Sequence, residues 1–473
     1  MRQQPEYHDY IVPGLDVLIG DPDILSPLPG SKKRAEIFYI PEGYVRRVID
    51  FYDEPSGRGD ACKELTRRFG EILSAMNGSS GNSYQLANGT LVSFETTPKS
   101  VRSSKDQAVY VAKAISEKLG TNKKYVAIMT GSDQLSALAA LGKIDVAHLN
   151  PDVYTGRRKI YLPSEKAGLW YGSHHITREA WSVVFPEEEP LRPNEFIEFI
   201  FDDFGQVNHS FKNIGRFDAT ENALVPLKYF KFGDPEYNRI YPRTAGQAML
   251  LEALLAPPEE IPIVVVSGTY GTGKTFLSVA AGLFGVTKSF DYERVFICPR
   301  DGALGKDIGA VPGDATEKTL VKAKPIEDNI RALFRLTNIG KKSKFADDKS
   351  SAAEKRNCVD RAVEDAMERY FEYEPIIFMG GRSIANSFII YDEFQDMERY
   401  QARALLTRIG DNSKIVVSGD PAQLSNPHLN RTSNGLSFSA SKLAGKPEAA
   451  IITLTKDEIV RSPAALAIAN YLA

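Results

Sequence analysis

Residues 264–285 read VVVSGTYGTGKTFLSVAAGLFG, which is an apolar run, a glycine-rich loop and a second apolar run. The centre of this stretch, Gly268 to Thr275, matches GxxxxGK[ST], and it stands between a predicted strand and a predicted helix, as a phosphate-binding loop requires. Glycines let backbone N–H groups wrap phosphates, and the helix N-terminus adds positive potential. The stretch therefore predicts a nucleotide-binding α/β domain, with a chance glycine-rich turn as the alternative.

The loop residues have separate predicted roles. Lys274 is expected to neutralise the β and γ phosphates of ATP, and Thr275 is expected to offer its hydroxyl to Mg²⁺. ATP and Mg²⁺ are therefore the expected cofactors. The predicted nucleotide-binding residues of the loop are Gly268, Thr269, Tyr270, Gly271, Thr272, Gly273, Lys274, Thr275 and Phe276.

Three later apolar runs, RVFICPR, SFIIYDE and KIVVSGD, each end in polar or charged residues. Strands with chemical groups at their carboxyl ends are typical of nucleotide-binding open sheets. Asp392 is expected in the Mg²⁺ shell, and Glu393 is expected to orient the attacking water. Gln423, in SGDPAQ, is expected to sense the γ phosphate. The alternatives are a solvated strand end and a plain Gly-Asp-Pro turn.

Gln247 and several arginines are further candidates. The Gln247 amide can donate to and accept from the adenine edge, although a surface helix glutamine fits the spacing equally well. Arg461, in DEIVRSP, and Arg408, in LLTRIG, are candidate arginine fingers, in cis or from a neighbouring subunit. A structural role is the simpler reading for any single arginine.

Composition limits the class of protein. The chain has 473 residues, too many for one core, and a net charge of -3, so any nucleic-acid site must be a local basic patch. Three scattered cysteines without a CxxC pair fit a reducing cytosol and argue against structural zinc. The N-terminus lacks a signal layout and the apolar runs are shorter than the ~20 residues of a membrane span. A cytoplasmic protein without membrane contact is expected.

The rhythm of elements changes along the chain. In residues 1–160, DYIVPGLDVLIG and KYVAIMTG are predicted as buried strands, SKDQAVYVAKAISEKLG as a helix, and GNSYQLANGTLVSF as a hairpin or surface loop. Residues 161–240 are rich in aromatic residues and predict a partly β connector. From residue 241 the α/β alternation returns, which favours a parallel sheet.

The motifs from about residue 235 onward resemble the PhoH family of ATPases. They are TYGTGKT, LGKDIGAVPGDATEK, PIEDNIRAL, GGRSIANSFIIYDEFQD, LLTRIGDNSKIVVSGDPAQL and KDEIVRSP. The resemblance implies a helicase-related P-loop NTPase with a RecA-like parallel sheet, in which Gln247 contacts adenine. It also implies that Arg300, Arg382 and Arg461 are phosphate or intersubunit groups, and that the protein forms a homo-oligomer, a hexameric ring with ATP at subunit interfaces.

The first region looks like a PIN domain, so the chain resembles a PIN–PhoH fusion, a type associated with RNA unwinding and RNA cleavage. PIN nucleases hold Mg²⁺ or Mn²⁺ with about four carboxylates. Here the first acid falls on Gly14, the second on Arg46, the third on Asp106, and the fourth on Ser132 or Asp133. Asp16 is expected too far along the strand to replace the acid missing at Gly14. We expect a PIN-like fold without nuclease activity, unless Glu42 or Asp50 compensates.

Three functions remain open on the sequence. The first is an ATP-driven motor or remodeller of RNA or single-stranded nucleic acid, the second is an ATPase-coupled ribonuclease, and the third is an ATP-controlled assembly switch. A basic segment with Lys341, Lys342, Lys344, Lys355 and Arg356 is a candidate path for a phosphate backbone, or a solvated face.

Overall fold

The structure is a computed structural model that describes residues 10–20, 22–25, 35–52, 57–77, 83–119, 126–130, 133–148, 154–201, 211–298, 327–336, 352–373, 383–425, 429, 431 and 434–460. The chain divides into two compact units, of which the first is essentially Met1–Asp152 and the second begins at Val153. Both units are α/β, as the sequence predicts.

A six-stranded sheet of order β3-β4-β2-β1-β5-β6 forms the first unit. The strands are β1 (Tyr10–Pro13), β2 (Ile37–Pro41), β3 (Tyr84–Gln85), β4 (Leu91–Glu95), β5 (Val126–Thr130) and β6 (Asp145–His148). All neighbours pair in parallel except β3 and β4, which form the predicted hairpin. The helices are α1 (Leu15–Gly20), α2 (Gly43–Asp50), α3 (Gly57–Asn77), α4 (Ser104–Lys118) and α5 (Asp133–Leu141).

One predicted element of the first unit is wrong in type. The run DYIVPGLDVLIG is a strand only as far as Pro13, and it continues as helix α1 from Leu15. A short apolar run has no periodicity that separates a buried strand from a buried helix. The change of direction at Gly14 matters for the position of Asp16, described below.

The second unit contains a five-stranded sheet, called here the connector sheet, of order β7-β9-β10-β11-β8. Its strands are β7 (Arg157–Leu162), β8 (Ile176–Thr177), β9 (Phe196–Phe201), β10 (Ile214–Asp218) and β11 (Ala223–Pro226), with helices α6 (Gly168–Tyr171) and α7 (Arg178–Val184). One face packs on Trp170 and Trp181, whereas Phe196 and Ile214 belong to the core of the following sheet. The predicted connector therefore shares a core with the α/β region after it, and the division into three domains stays a prediction.

A second six-stranded sheet, of order β14-β13-β15-β16-β12-β17, is parallel throughout. The strands are β12 (Ile263–Gly268), β13 (Arg294–Cys298), β14 (Phe371–Tyr373), β15 (Ser387–Tyr391), β16 (Lys414–Gly419) and β17 (Ala449–Leu454). The helices are α8 (Ala245–Leu255), α9 (Lys274–Phe284), α10 (residues 327–336), α11 (Ala352–Tyr370), α12 (Arg399–Leu406) and α13 (Gly435–Leu443). This sheet confirms the predicted parallel α/β fold and brings the carboxyl ends of β12, β15 and β16 to one edge.

The C-terminus of helix α8 is capped by a buried lysine. Lys414, the first residue of β16, is fully buried, and its Nζ donates to the carbonyl oxygens of Ala253 at 2.7 Å and Ala256 at 2.6 Å. Burial lowers the pKa of Lys414 to about 7. A cation at a helix C-terminus interacts favourably with the last carbonyls, so this contact ties α8 to the sheet.

Among the helices that the structure describes, none combines the length and the hydrophobicity of a membrane-spanning segment.

Candidate nucleotide-binding site

The loop between β12 and α9 has the backbone that its glycines predict. Gly271 has φ +77° and Gly273, the N-cap of α9, has φ +90°, a region that side chains other than glycine rarely adopt. Lys274 Nζ donates to the carbonyl oxygens of Gly268 at 2.6 Å and Thr269 at 3.1 Å. The ammonium therefore lies against the loop, at the N-terminus of α9, where phosphate groups bind most readily.

The Asp392 carboxylate accepts three hydrogen bonds, two of which come from other segments of the chain. Thr275 Oγ1 donates to its Oδ2 at 2.9 Å, while Ser418 Oγ at 2.6 Å and the Glu393 N–H at 3.1 Å donate to its Oδ1. Ser418 lies on β16, beside β15, which ends just before Asp392. Two adjacent parallel strands and the first turn of α9 therefore converge on a single carboxylate.

The pair formed by Thr275 and Asp392 fits a magnesium ion. Mg²⁺ takes oxygen ligands in octahedral geometry at 2.0–2.1 Å, so neighbouring ligand oxygens are about 3 Å apart. Thr275 Oγ1 and Asp392 Oδ2 are 2.9 Å apart. The residues present suit the ion that the sequence predicts.

A buried glutamine connects Glu393 to the next motif. Gln395 is fully buried, and its Nε2 donates to Glu393 Oε2 at 2.6 Å and to the Gln423 carbonyl oxygen at 3.1 Å. Its Oε1 accepts from the Asp420 N–H at 3.1 Å. Gln423 Nε2 in turn donates to Asp420 Oδ2 at 2.8 Å. Glu393 and Gln423, predicted separately, are thus ends of one hydrogen-bonded chain.

Glu393 has a backbone conformation that is unusual for its residue type. Its φ is +54° and its ψ is +37°, the left-handed region. Such conformations cost about 1–3 kcal/mol for residues other than glycine and cluster at functional sites. The conformation leaves the Glu393 side chain exposed, with its carboxylate fixed by Gln395.

Gln247 supports the loop from within the fold. Only 4% of Gln247 is exposed, its Nε2 donates to the Thr272 carbonyl oxygen at 2.9 Å, and its Oε1 accepts from the Arg243 N–H at 2.8 Å. These bonds give Gln247 a loop-supporting role that the sequence did not suggest. Its contact with adenine stays a prediction.

The segment after β17 reaches the loop as well. The Val460 N–H donates to the Gly271 carbonyl oxygen at 3.0 Å. Two residues earlier, the buried Glu458 carboxylate accepts from the Gly246 N–H at 2.7 Å and from Arg157 at 2.9 Å. The predicted arginine Arg461 follows Val460 directly, but it lies outside the described residues.

Sequence reasoning missed several of the residues that build the site. Gln395 and Ser418 lie inside motifs quoted above, but no role was assigned to them from the sequence. Glu458 lies in the motif KDEIVRSP, in which only Arg461 was given a role. Arg157 and Gly246 were given no role either, because their importance depends on contacts with residues far away in sequence.

The remaining predicted residues are placed as follows. Tyr270 is 39% exposed on the loop, and Phe276 packs against the core. The carbonyl oxygen of Arg408 accepts from Ile384, ahead of β15, so its main chain lies at the edge of the sheet opposite the loop. Outside the described residues or side chains lie Arg300, Arg382, Lys341, Lys342, Lys344, Lys355, Arg356, Ser132 and the carboxylate of Asp133.

In the first unit, Asp16 corrects one expectation. Because the chain turns into α1 after Pro13, the Asp16 carboxylate folds back, and a Cβ at Gly14 would lie 2.3 Å from its Oδ1. Thr130 Oγ1 donates to its Oδ2 at 2.9 Å. The expected displacement along a strand was therefore wrong, and Asp16 occupies the space of a side chain at position 14.

Among the side chains that the structure describes, no other acid completes a metal site with Asp16. Glu42, Asp50 and Asp106 are exposed, as is Arg46. Within the ranges that the structure describes, no group of three or more His, Cys, Asp or Glu side chains is placed to hold a metal ion. The expected lack of nuclease activity stays a prediction, because the Asp133 side chain is not described.

The fold and the site define a P-loop NTPase domain with a parallel sheet. Comparison with known proteins gives its family: the family model described as "PhoH-like protein" matches residues 239–473. "Protein PhoH2" of Bacillus subtilis (strain 168) is 31% identical over 335 residues, which cover 71% of this chain and 68% of that protein. The chain belongs to the PhoH family.

Other relatives match a shorter part of the chain. "Protein PhoH2" of Thermobispora bispora is 31% identical over 242 residues, covering 51% of this chain and 49% of that protein. "Protein PhoH2" of Mycolicibacterium smegmatis is 30% identical over 260 residues, which cover 55% of this chain and 52% of that protein. This chain therefore spans about half the length of these two relatives, and the PIN-like character of its first unit stays a prediction.

Proposed function

We propose that this protein is a Mg²⁺-dependent ATPase that remodels or moves along RNA or single-stranded nucleic acid. The observation that carries the ATPase assignment is the convergence of Thr275, Ser418 and the Glu393 N–H on Asp392, next to Lys274. The carboxylate of a solvated strand end is not expected to accept hydrogen bonds from two other segments, as Asp392 does from Thr275 and Ser418, whereas a nucleotide site needs its metal-binding carboxylate fixed in place.

The residues divide the work of phosphoryl transfer. Backbone N–H groups of the loop and the Lys274 ammonium bind the β and γ phosphates, while Thr275 and Asp392 hold the metal ion. Mg²⁺, when bound, neutralises charge on the β and γ phosphate oxygens. Glu393 orients water for attack, and Gln395 fixes its carboxylate. The same glutamine links Glu393 to Asp420, so a change at the γ phosphate is passed to the chain after β16.

Nucleic acid is the proposed substrate of the motor because the resemblance extends to helicase-type motifs, Asp392 to Gln395 and Gly419 to Gln423. The proposed assembly is a homo-oligomer, a hexameric ring, in which Arg461 or Arg382 completes the site of a neighbouring subunit. If so, each variant alone is inactive, but a mixture of Lys274→Ala and Arg461→Ala subunits recovers part of the ATPase activity. Some interfaces in the mixture combine an intact Lys274 from one subunit with an intact Arg461 from its neighbour. A fully active monomer in light scattering argues against the ring.

An ATPase-coupled ribonuclease is the second function. It is disfavoured because the resemblance puts Arg46 where the PIN pattern has an acid, and because no group of three or more His, Cys, Asp or Glu side chains in the described ranges is placed to hold a metal ion. The third candidate function is an ATP-controlled assembly switch without translocation. It differs from the other two because its ATPase rate does not respond to nucleic acid.

The experiment that tests the proposal is the steady-state ATPase rate with and without RNA and single-stranded DNA. A remodeller shows a rate that rises on adding one of them, with Lys274→Ala inactive in every condition. A rate that is independent of both nucleic acids favours the switch. Activity retained by Lys274→Ala contradicts the site itself.

A further inference from the structure

The Glu458 carboxylate joins three parts of the second unit. It lies in the turn Lys456–Glu458 after β17 and is 7% exposed. Its Oε1 accepts from the Gly246 N–H at 2.7 Å, at the start of α8, and its Oε2 accepts from the Thr455 N–H at 2.9 Å. From β7 of the connector sheet, Arg157 Nη1 donates to both oxygens, at 3.0 and 2.9 Å.

Two short paths lead from Glu458 to the P-loop. Along the chain, the Val460 N–H donates to the Gly271 carbonyl oxygen at 3.0 Å. Through α8, Gly246 is followed by Gln247, whose Nε2 donates to the Thr272 carbonyl oxygen at 2.9 Å. Consecutive loop residues are therefore held by two groups that Glu458 positions.

The main chain of α8 lies close against this carboxylate. A Cβ at Gly246 would lie 2.5 Å from Glu458 Oε2. The start of β7 is fixed in turn against β17, because the Thr453 N–H donates to the Thr155 carbonyl oxygen at 3.1 Å. Arg157 itself is 8% exposed in its side chain and also contacts Glu198 at 3.3 Å. The pair is therefore flanked by Gly246 on the side of Glu458 and by Glu198 on the side of Arg157.

We propose that Arg157 is a positioning residue of the nucleotide site, which acts through Glu458 on the backbone of the P-loop and links the connector sheet to ATP binding. This inference rests on the proposed function. Loss of Arg157 leaves a buried carboxylate without its cation, and a shift of Glu458 moves both groups that support Gly271 and Thr272. Because coupling between sites is reciprocal, ATP also stabilises the connector sheet.

The test measures the Kd of a fluorescent ATP analogue for the full chain. Arg157→Met and Glu458→Gln are each expected to raise Kd about tenfold, within the range found for residues that couple sites. The double variant is expected to bind no more weakly than the weaker single variant, because both changes break one path. Arg157→Lys, which can still donate to Glu458, is expected to recover most of the affinity.

The matched control is the neighbouring arginine. Arg158 is also largely buried, with its Nε 2.7 Å from Glu195, but the described contacts join it to Glu188, Glu189 and Glu195 rather than to the loop supports. Arg158→Met is expected to lower stability and to leave Kd within twofold of wild type. Equal Kd increases in the Arg157 and Arg158 variants, or additive effects in the double variant, overturn the proposal.

A second pair of variants tests the proposal if Arg157→Met does not fold. If Arg157→Met is unfolded, Glu458→Gln is compared with Glu198→Gln, since both remove a carboxylate partner of Arg157 but only Glu458 supports the loop. The Glu458 variant is expected to lose about tenfold in affinity and the Glu198 variant less than twofold. Equal effects contradict the role of Arg157. Wild-type protein that binds no ATP analogue contradicts the proposed function instead.

Discussion

Replacing Gln395 by leucine separates hydrolysis from nucleotide binding. The side chain is fully buried, makes three hydrogen bonds and contacts none of the loop residues through them. Leucine keeps much of the volume but removes every polar atom. Glu393 then loses the donor at 2.6 Å that fixes its carboxylate, while Lys274, Thr275 and Asp392 keep their contacts.

The magnitude follows from these bonds. A hydrogen bond to a charged group contributes about 1.5–3 kcal/mol. If that energy holds Glu393 in position for attack, its loss lowers kcat about 10- to 100-fold, at 1.36 kcal/mol for each factor of ten. KM is expected to stay within about twofold of wild type, because the phosphate-binding groups are untouched. The Asp420 N–H, left buried without its acceptor, lowers the free energy of unfolding by about 1–3 kcal/mol.

The assay is phosphate release at saturating ATP, with circular dichroism to confirm folding. Asn434→Ala is the stability control, because the fully buried Asn434 caps α13 by accepting from the Ser437 N–H at 2.9 Å. That change costs about 1 kcal/mol of stability and leaves kcat unaltered. A folded Gln395→Leu protein with kcat within threefold of wild type, or one whose whole defect is in KM, refutes the role given to this glutamine.

Three further predictions concern other groups. Ser418→Ala is expected to lower kcat about tenfold, because Asp392 loses one of its donors; phosphate release unchanged from wild type contradicts this. The folded-state pKa of Lys414, about 7, is below its unfolded value near 10.4, so the unfolded chain binds more protons between these two values and the free energy of unfolding rises with pH over that range. Urea unfolding at pH 7, 8 and 9 is expected to show this rise in the free energy of unfolding in wild type and not in Lys414→Met. The same rise in both proteins excludes Lys414 as its source. Incubation of RNA with Mn²⁺ is expected to give little cleavage; robust cleavage that Asp106→Asn abolishes shows a working metal site.

The parallel sheet and its loop were predictable because their signals are local. The GxxxxGK[ST] spacing, the apolar run before it and the acids after SFIIY each depend on neighbouring residues, and the structure brings Thr275 and Asp392 together. The type of the run after Tyr10 was not predictable in the same way. Apolar residues on both sides of Gly14 suit a buried strand or a buried helix, and tertiary packing decides between them.

The residues that support the nucleotide site could not be predicted from local sequence patterns. Arg157 and Glu458 are 301 positions apart, and Gly246 and Glu458 are 212 apart. A charged residue in a strand or a turn is usually solvated, and only the fold shows that these are buried together. The Asp16 expectation was wrong for a related reason, because the strand spacing applied to it ends at Pro13.

Nucleotide binding and phosphate release by Glu393→Gln, measured beside wild type, test the central claim most directly. The exchange keeps the size of the side chain and removes the charge that orients water, while the phosphate-binding groups stay in place. The expected result is Mg²⁺-dependent phosphate release by wild type, loss of that release in Glu393→Gln, and a Kd for ATP close to wild type in the variant. Hydrolysis by Glu393→Gln at the wild-type rate, or no Mg²⁺-dependent hydrolysis by the wild-type chain, contradicts the assignment of this site.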